Sequence, residues 1–466
     1  MERIAQIISE ISSMLWGWPM IILLLGTHIF LTVRLRFPQI RIFKAIALSV
    51  KKDHNSSGDV SQFHALATSL AATIGTGNII GVATAISLGG PGAVFWCWLT
   101  GIFGIATKYS EGLLAIKYRQ KTSDGKMLGG PMYALEKGLN AKWLAVLFCI
   151  FTAVASFGIG NTVQANAISG LLESTPLIGS PIPAYVTGLV LAALVAMVII
   201  FGVKGIGKVC GALVPFMALF YVAGCIIILV FNWQFIGDAI SLIVKSAFCA
   251  QSAVGGMVGG TIMMAARYGI ARGLFSNESG LGSAPIVAAA AQTRNPVRQA
   301  MVSSTATFWD TVVICAITGI VLVSSIIAHP DIDYADGAAL TFKAFSKIEF
   351  LNIPVGLLVL SVGLVTFAFS TILGWSYYGE RATEYLAGKR AIPVYRILWV
   401  IMVFLGAVLN LDLVWNISDV TNALMAIPNL ISLLLLSGVV VAETRKYLWS
   451  GKLDDFSQEW EDEAKN

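Results

Sequence analysis

Apolar runs long enough to cross a membrane recur along almost the whole chain, and they constrain its fold more than any other feature. A transmembrane helix needs about 20 consecutive, mostly apolar residues. Runs of that kind lie near residues 14–33, 61–88, 92–116, 143–171, 183–203, 209–231, 239–271, 298–328, 352–379, 393–411 and 414–442. The pattern predicts an all-α integral membrane protein with eleven transmembrane helices.

The composition excludes the main classes of soluble protein. Of the 466 residues, 56% are hydrophobic and only 12% are charged, whereas a soluble domain is about half apolar and one quarter charged. The basic residues are spread between the apolar runs and form no stripe, so nothing favours nucleic-acid binding. The six cysteines lie inside apolar runs without the short spacing of a zinc site. A soluble enzyme is therefore excluded.

Basic residues near the ends of the runs predict the orientation in the membrane. With the N-terminus outside, 26 of the 31 lysines and arginines fall on the cytoplasmic side and three fall outside, Arg3, Lys343 and Lys347, while Lys108 and Lys245 lie near span ends and are assigned to neither side. Cytoplasmic loops carry the excess of Lys and Arg, so we expect a multi-pass plasma-membrane protein with its C-terminus in the cytoplasm. The segment Phe37–Val50 mixes apolar and basic residues as in a helix that lies on the cytoplasmic surface.

Without the first helix, ten helices remain, and they divide into two sets of five that enter the membrane from opposite sides. We number them core helices 1 to 10. The predicted parts are an extra span with the amphipathic segment at 1–58, a first inverted repeat with core helices 1 to 5 at 59–231, a second with core helices 6 to 10 at 237–443, and a cytoplasmic tail at 444–466. In such folds the site lies near the bilayer midplane, where the first helix of each half is broken.

Glycine clusters mark a break in core helices 1 and 6. The first reads Thr73-Ile74-Gly75-Thr76-Gly77-Asn78, and the second includes Gly255, Gly256, Gly259 and Gly260. Glycine costs about 1 kcal/mol relative to alanine inside a helix, and an unwound stretch is tolerated in a membrane only where it lines a cavity or holds a ligand. Close packing of small residues is the alternative. It fits Gly256 and Gly260, but it does not require the polar side chain of Asn78.

Two motifs resemble those of the alanine or glycine:cation symporter family. They read Gly-Gly-Pro-Gly-Ala-Val-Phe-Trp-Cys-Trp at 89–98, directly after Gly75-Thr76-Gly77-Asn78, and Ser-Asn-Glu-Ser-Gly-Leu-Gly-Ser-Ala-Pro at 276–285. The similarity runs from about Met14 to Glu443. The resemblance implies a secondary transporter that takes up alanine or glycine together with Na⁺. It also implies the five-plus-five fold of the bacterial leucine transporter, whose first core helix has Gly-x-Gly-Asn at its break.

The resemblance further implies a sodium site between core helices 1 and 8. Its ligands would be the carbonyls of Ala71 and Ile74 and the hydroxyls of Ser370 and Thr371, with Thr366 as a third hydroxyl in the same apolar helix. Hard cations prefer such oxygens. The alternative is that these hydroxyls bond back to carbonyls of their own helix. A second sodium would use Asn78 and a residue of core helix 7, where Ser304, Thr305 and Thr307 all fit.

The same fold places the amino acid at the two breaks. Its carboxylate would meet amides around Gly75, Thr76 and Gly77, and its ammonium the carbonyls near Gly255 and Gly256. On core helix 3, Asn161 and Gln164 lie on one face; we expect Gln164 to contact the ligand and Asn161 to support it. Met257, Phe367 and Trp375 are candidates to limit the side-chain pocket, although each fits core filling equally well. The resemblance narrows the substrate to alanine or glycine, and a pocket that binds mainly the carboxylate, the ammonium and a methyl group would also accept D-alanine with modest discrimination.

Ionisable residues inside the spans keep two alternatives open. Asp310 lies deep in an apolar run, so it could bind a proton or sodium, and the coupling ion could then be H⁺. Glu111 could form an ion pair at an inner gate, with Lys108 close by. Glycine-rich broken helices also build channels, and a membrane enzyme is disfavoured because no catalytic motif accompanies the histidines. No obligatory protein partner is evident.

Overall fold

The computed structural model describes residues 2–51, 53, 56–174, 181–248, 262–337, 339–349, 353–409 and 412–457. Helices follow the apolar runs, and short turns rich in Gly and Pro separate them. In the first half the helices are α1 (Glu2–Leu15), α2 (Trp18–Arg34), α3 (Ile42–Ser49), α4 (Gln62–Thr73), α5 (Val82–Gly89), α6 (Gly92–Lys117), α7 (Pro131–Tyr133), α8 (Lys142–Phe157), α9 (Val163–Ser174), α10 (Ala184–Ile199) and α11 (Gly202–Phe231). A short antiparallel hairpin precedes α7; its strands are two residues each, β1 (Gln120–Lys121) and β2 (Met127–Leu128).

The second half has the same helical character. Its helices are α12 (Ile236–Phe248), α13 (Ile262–Asn277), α14 (Pro285–Ala288), α15 (Pro296–Thr307), α16 (Ala316–Ala328), α17 (Ala339–Ser346), α18 (Val355–Ala387), α19 (Ile392–Val408), α20 (Asp412–Leu435) and α21 (Ser437–Thr444). Wider π-helical turns join α8 to α9 at Gly158–Thr162 and α15 to α16 at Phe308–Cys315. Each of these pairs therefore runs as one long span with a local distortion.

The helices confirm a multi-pass membrane protein. Within the described ranges, seven helices are long and apolar enough to cross a membrane, and the bent pair formed by α4 and residues 77–89 raises the number to eight. The 26-residue α6 and the 16-residue α10 occupy two further apolar runs. Eleven spans and the orientation of the termini stay predictions. The second glycine cluster lies outside the described residues, between α12 and α13.

Core helix 1 bends where the first glycine cluster stands. Helix α4 ends at Thr73, Ile74 adopts an extended conformation, and the chain becomes helical again at Gly77. The two halves differ in direction by 51°. Bent spans of this kind free main-chain groups from the helical hydrogen-bond ladder, so the bend is the natural place to look for a ligand site.

Helix α18 holds the bend from the other side. It packs against α4, α8, α9 and α11, whereas α6 packs against α13 and α15. Small residues allow close contact: a Cβ atom added to Gly75 would lie 2.6 Å from Thr371 Oγ1, and one added to Gly160 would lie 2.2 Å from Trp375 Cβ. Glycine is therefore required at both positions, because the neighbouring side chains occupy the space.

Candidate ion and substrate site at the bend of core helix 1

Two amides at the bend point to side-chain oxygens. The Gly75 N–H donates to Asn78 Oδ1 at 2.9 Å, and the Thr76 N–H donates to Gln164 Oε1 at 3.3 Å. Thr76 and Gln164 are each only 2% exposed. The Thr76 hydroxyl is buried and has no hydrogen-bond partner among the described residues. The bend thus offers main-chain donors and one unpaired hydroxyl inside the membrane domain, which are groups that can recognise a carboxylate.

Four neutral oxygens from two helices meet on the other side of the bend. Ser370 Oγ donates to the carbonyl of Ala71 at 3.2 Å, and Thr371 Oγ1 donates to that of Ile74 at 3.3 Å. Both hydroxyls are also within hydrogen-bond distance of the Phe367 carbonyl in their own helix. Bonding back to the helix and contact with α4 therefore coexist. Because all four groups are oxygens without charge, the cluster suits a hard monovalent cation.

Thr366 is not brought to this cluster. Its hydroxyl donates to the carbonyls of Val362 at 2.6 Å and Gly363 at 3.2 Å, and its side chain is half-buried. These are the contacts of a hydroxyl that bonds back to its own helix. Of the three hydroxyls predicted in core helix 8, two face α4 and one does not.

Asn78 contacts a carboxylate of core helix 7 that sequence reasoning did not pair with it. Its Nδ2 lies 2.7 Å from Asp310 Oδ1, and the other carboxylate oxygen accepts from Ser276 at 3.0 Å and Thr311 at 2.6 Å. Asp310 is fully buried. The signal in the sequence was a lone aspartate deep in an apolar span, but its partner could be found only from the packing of core helix 7 against the bend.

The three hydroxyls predicted as alternatives in core helix 7 lie elsewhere. Ser304 and Thr305 donate to carbonyls of their own helix at 2.7 Å, and Thr307 pairs with Ser279 at 2.9 Å. At the level of Asn78, this span is a π-helical turn that contains Asp310. The residue that core helix 7 presents to Asn78 is therefore an aspartate.

Core helix 3 brings Gln164 to the bend and turns Asn161 away from it. Gln164 Nε2 donates to the Ile159 carbonyl at 2.9 Å, which orients its oxygen toward Thr76. Asn161 instead donates to the Trp399 carbonyl of α19 at 3.0 Å. The reason is the π-helical turn at 158–162, which widens the helix locally, so that the regular three-residue spacing no longer places both side chains on one face.

Phe367 and Trp375, predicted in the pocket wall, each contact a specific buried side chain. Phe367 is fully buried, and its ring centroid lies 5.0 Å from that of Tyr221. The Trp375 indole N–H donates to Glu278 Oε1 at 2.8 Å. Glu278 belongs to the second sequence motif and also accepts from Ser283. Gly255, Gly256 and Met257, the predicted contributions of core helix 6, lie outside the described residues.

Glu111, for which an ion pair at an inner gate was one possibility, accepts hydrogen bonds from neutral groups. Its Oε1 accepts from the main-chain N–H groups of Gly280 at 3.0 Å and Gly282 at 3.1 Å, and from Asn429 Nδ2 at 2.7 Å. The ammonium of Lys108 is buried and has no hydrogen-bond partner in the part of the chain that the structure describes. Both glycines have positive φ, +92° and +86°, a conformation that lets successive amides turn to one carboxylate.

The sequence as a whole matches known proteins. Residues 1–459 match the profile of the sodium:alanine symporter family. The chain is 51% identical over 449 residues to the sodium/alanine symporter AgcS of Methanococcus maripaludis, which covers 95% of this chain and 96% of that protein. It is 37% identical over 456 residues to the probable sodium/glutamine symporter GlnT of Bacillus subtilis, covering 96% and 91% of the two chains.

One solved structure has a similar fold. It is the crystal structure of MhsT in complex with L-phenylalanine, with a TM-score of 0.58 over 82% of this chain and 90% of that one. At 16% identity the likeness shows the fold alone.

Proposed function

This chain belongs to the sodium:alanine symporter family, and we propose that it imports alanine, glycine and D-alanine together with Na⁺ by alternating access. It is a transporter and not an enzyme. The observation that carries the choice of ion is the meeting of the Ser370 and Thr371 hydroxyls with the carbonyls of Ala71 and Ile74 at the bend.

Sodium is the ion that this cluster favours, because none of its four oxygens titrates. We propose that Na⁺ replaces the two hydrogen bonds between α18 and α4 and is held by both helices. An ion that joins two elements stabilises the state in which those elements are close together. Coupling then requires that this state also binds the amino acid better than the other state does.

We propose that the substrate carboxylate takes the amides of Gly75, Thr76 and Gly77, and that Gln164 forms part of the same contact surface. The ammonium would bind carbonyls near Gly255 and Gly256. On α18, Phe367, Thr371 and Trp375 follow one another at intervals of four, so they share one face. We therefore propose that Phe367 and Trp375 stand on either side of the ion site and, with Met257, restrict the substrate side chain.

The proposed architecture has eleven spans, with the N-terminus outside and the C-terminus in the cytoplasm. Ten spans form two inverted repeats, and core helices 1 and 6 are interrupted. The 51° bend at the first glycine cluster supports the first interruption. A second sodium near Asn78 belongs to the same proposal.

Proton coupling is the second candidate, and the contact between Asn78 and Asp310 favours it. A buried carboxylate that touches the bend of core helix 1 could take up a proton and change the hydrogen bond to Asn78. Replacing Asp310 with Asn removes the titrating group and keeps its size. If H⁺ is the coupled ion, the variant loses uptake driven by a proton gradient; if Na⁺ is, uptake stays sodium-driven, with a weaker apparent sodium affinity because Asp310 contacts the proposed second sodium ligand Asn78.

The deciding experiment is uptake of labelled alanine by the purified protein in proteoliposomes. Three conditions are compared: an inward sodium gradient, an inward proton gradient, and no ion gradient. Accumulation with the sodium gradient alone supports the proposal, whereas accumulation with only the proton gradient supports the second candidate. Ion currents that exceed any fixed ratio to alanine uptake would identify a channel and contradict both.

A further inference from the structure

The chain makes a sharp turn after α2 and then forms a short helix. Arg36 and Phe37 have positive φ, +58° and +54°, which is unusual for bulky residues and requires support from the surroundings. Gln39 supplies it, because its amide donates to Thr32 Oγ1 at 2.9 Å and to the Ile102 carbonyl at 3.0 Å. The segment that follows is therefore held in a defined position against the helix bundle.

The short helix has two different faces. Ile42, Ala45 and Leu48 are buried, and the helix packs against α15. Phe43 in the same helix is 76% exposed, and Ile40, in the single 3-10 turn Pro38–Arg41 just before it, is 80% exposed. Large apolar side chains this open to the surroundings are typical of an element that contacts lipid.

The same segment has a strongly basic charge. Residues 34–52 contain six basic residues and no acidic one, of the 31 basic residues in the whole chain. Five of them are described and exposed: Arg34, Arg36, Arg41, Lys44 and Lys51. Lys44 follows Phe43 directly in the sequence, so a basic side chain lies next to the exposed ring of Phe43. We call the described residues 34–51 the basic ledge.

We propose that the basic ledge binds the headgroups of anionic phospholipids. The aromatic and aliphatic side chains would enter the boundary between headgroups and acyl chains, and the Arg and Lys groups would bind phosphate oxygens. Continuity with lipid supports this occupant over a soluble acidic protein, because the ledge begins at the end of a helix long and apolar enough to cross the membrane, Gln6–Arg34. In the proposed orientation the ledge faces the cytoplasmic leaflet, where anionic lipids are concentrated.

The bound lipid has a physical link to the transport domain. The buried face of the ledge packs on α15, and the chain beyond the ledge reaches Asp53, whose carboxylate pairs with Arg294 at 2.7 Å and Arg298 at 3.4 Å. Arg298 lies in the first turn of α15. This helix is the N-terminal half of core helix 7, the span that also carries Asp310. The proposed lipid site therefore lies on an element that packs directly against core helix 7.

Binding is measured on the purified full chain in a neutral detergent, with fluorescent phosphatidylglycerol and, for comparison, fluorescent phosphatidylcholine. Each basic side chain near an anionic surface changes affinity by about fivefold. The double variant Arg41→Gln/Lys44→Gln should therefore bind phosphatidylglycerol more than tenfold more weakly, and Ile40→Ser/Phe43→Ser should weaken binding of the same lipid. Raising the salt concentration should weaken binding to the unmodified chain.

The matched control is Lys121→Gln/Lys452→Gln, which removes the same charge from two exposed positions outside the ledge. It should bind phosphatidylglycerol like the unmodified chain. Equal affinity for the two lipids, equal loss in the control, or a ledge variant that changes only the oligomeric state would overturn the proposal. The readout needs neither sodium nor alanine, so its failure is distinct from failure of the proposed transport function.

Discussion

Thr371 Oγ1 lies 3.3 Å from the main-chain oxygen of Ile74, so a hydroxyl of α18 caps the carbonyl end of α4 at its bend. Ser370 makes the equivalent contact with Ala71 one turn earlier, at 3.2 Å. The carbonyls near the end of a helix carry the negative end of its dipole. The hydroxyls of Ser370 and Thr371 therefore lie where the dipole of α4 favours a positive ion, and the first prediction rests on this position.

The double substitution Ser370→Ala/Thr371→Ala should abolish stimulation of alanine uptake by sodium, because it removes two of the four proposed ion ligands. The measurement is initial uptake rate against sodium concentration in proteoliposomes. Thr366→Ala is the matched control: this hydroxyl bonds only to carbonyls of its own helix among the described contacts, so its loss should leave sodium dependence unchanged. Undiminished stimulation in the double variant would remove the site from α18.

A methyl group at Gly75 should disturb ion and substrate binding together. The added Cβ would meet Thr371 Oγ1 at 2.6 Å and Gln164 Oε1 at 3.3 Å, so it would displace one group of the ion site and one of the substrate site. We expect Gly75→Ala to lower both apparent affinities by about fivefold or more, as overpacking costs about 1 to 3 kcal/mol. Affinities are read from uptake curves for sodium and for alanine.

Gly81→Ala is the control for this crowding. It lies in the helical stretch just after the bend, and nothing stands within 4 Å of the position its Cβ would take. Alanine there should leave both affinities unchanged. If Gly81→Ala were as damaging as Gly75→Ala, the effect would come from backbone stiffening and not from the two named contacts.

The bend itself could be predicted from the sequence, whereas the partners around it could only in part. Glycines beside an asparagine in an apolar run already disfavour a regular helix at 73–78. The contact of Ser370 and Thr371 with α4 followed from the resemblance, because it depends on the packing of two spans about 300 residues apart. The contact between Asn78 and Asp310 did not, since no local pattern relates those positions.

A local distortion explains the position of Asn161, and tertiary packing gives Trp375 a partner that the sequence did not predict. Asn161 and Gln164 were expected on one face, but the π-helical turn at 158–162 changes the spacing, and Asn161 reaches α19. Trp375 stays a predicted pocket residue, and the structure adds that its indole N–H donates to Glu278. A π turn leaves no clear mark in the sequence, and a tryptophan's partner is set by tertiary packing, so neither could be read from periodicity.

Substitution at Gln164 should weaken substrate binding, and substitution at Asn161 should mainly weaken the fold. If Gln164 contacts the bound amino acid, Gln164→Leu leaves a hydrogen-bonding group of that ligand unpaired in the complex, which costs about 1 to 3 kcal/mol, or about fivefold to more than a hundredfold in affinity. Asn161→Leu removes the donor to Trp399, so we expect a lower melting temperature with near-normal alanine affinity in the protein that remains folded.

Calorimetric titration with alanine, together with thermal unfolding, separates these two effects. Normal alanine affinity in well-folded Gln164→Leu would exclude a role for Gln164 in the site. A large loss of affinity in Asn161→Leu without any loss of stability would show that both amides contact the ligand, as their spacing in a regular helix predicts.

The last prediction concerns substrate size. If main-chain groups at the two breaks bind the carboxylate and ammonium, selection depends on the space left for the side chain, and the family contains relatives named for alanine and for glutamine. We therefore expect glycine and alanine, including D-alanine, to displace labelled alanine, and leucine to fail.

Met257→Ala should admit valine or leucine with some loss of alanine affinity. Phe367→Ala should do so at a larger cost in stability, about 3 to 5 kcal/mol for a buried aromatic ring, because this ring packs on Tyr221. Competition by unlabelled amino acids is the measurement. If leucine displaces alanine from the unmodified protein as well as glycine does, side-chain volume does not set the specificity.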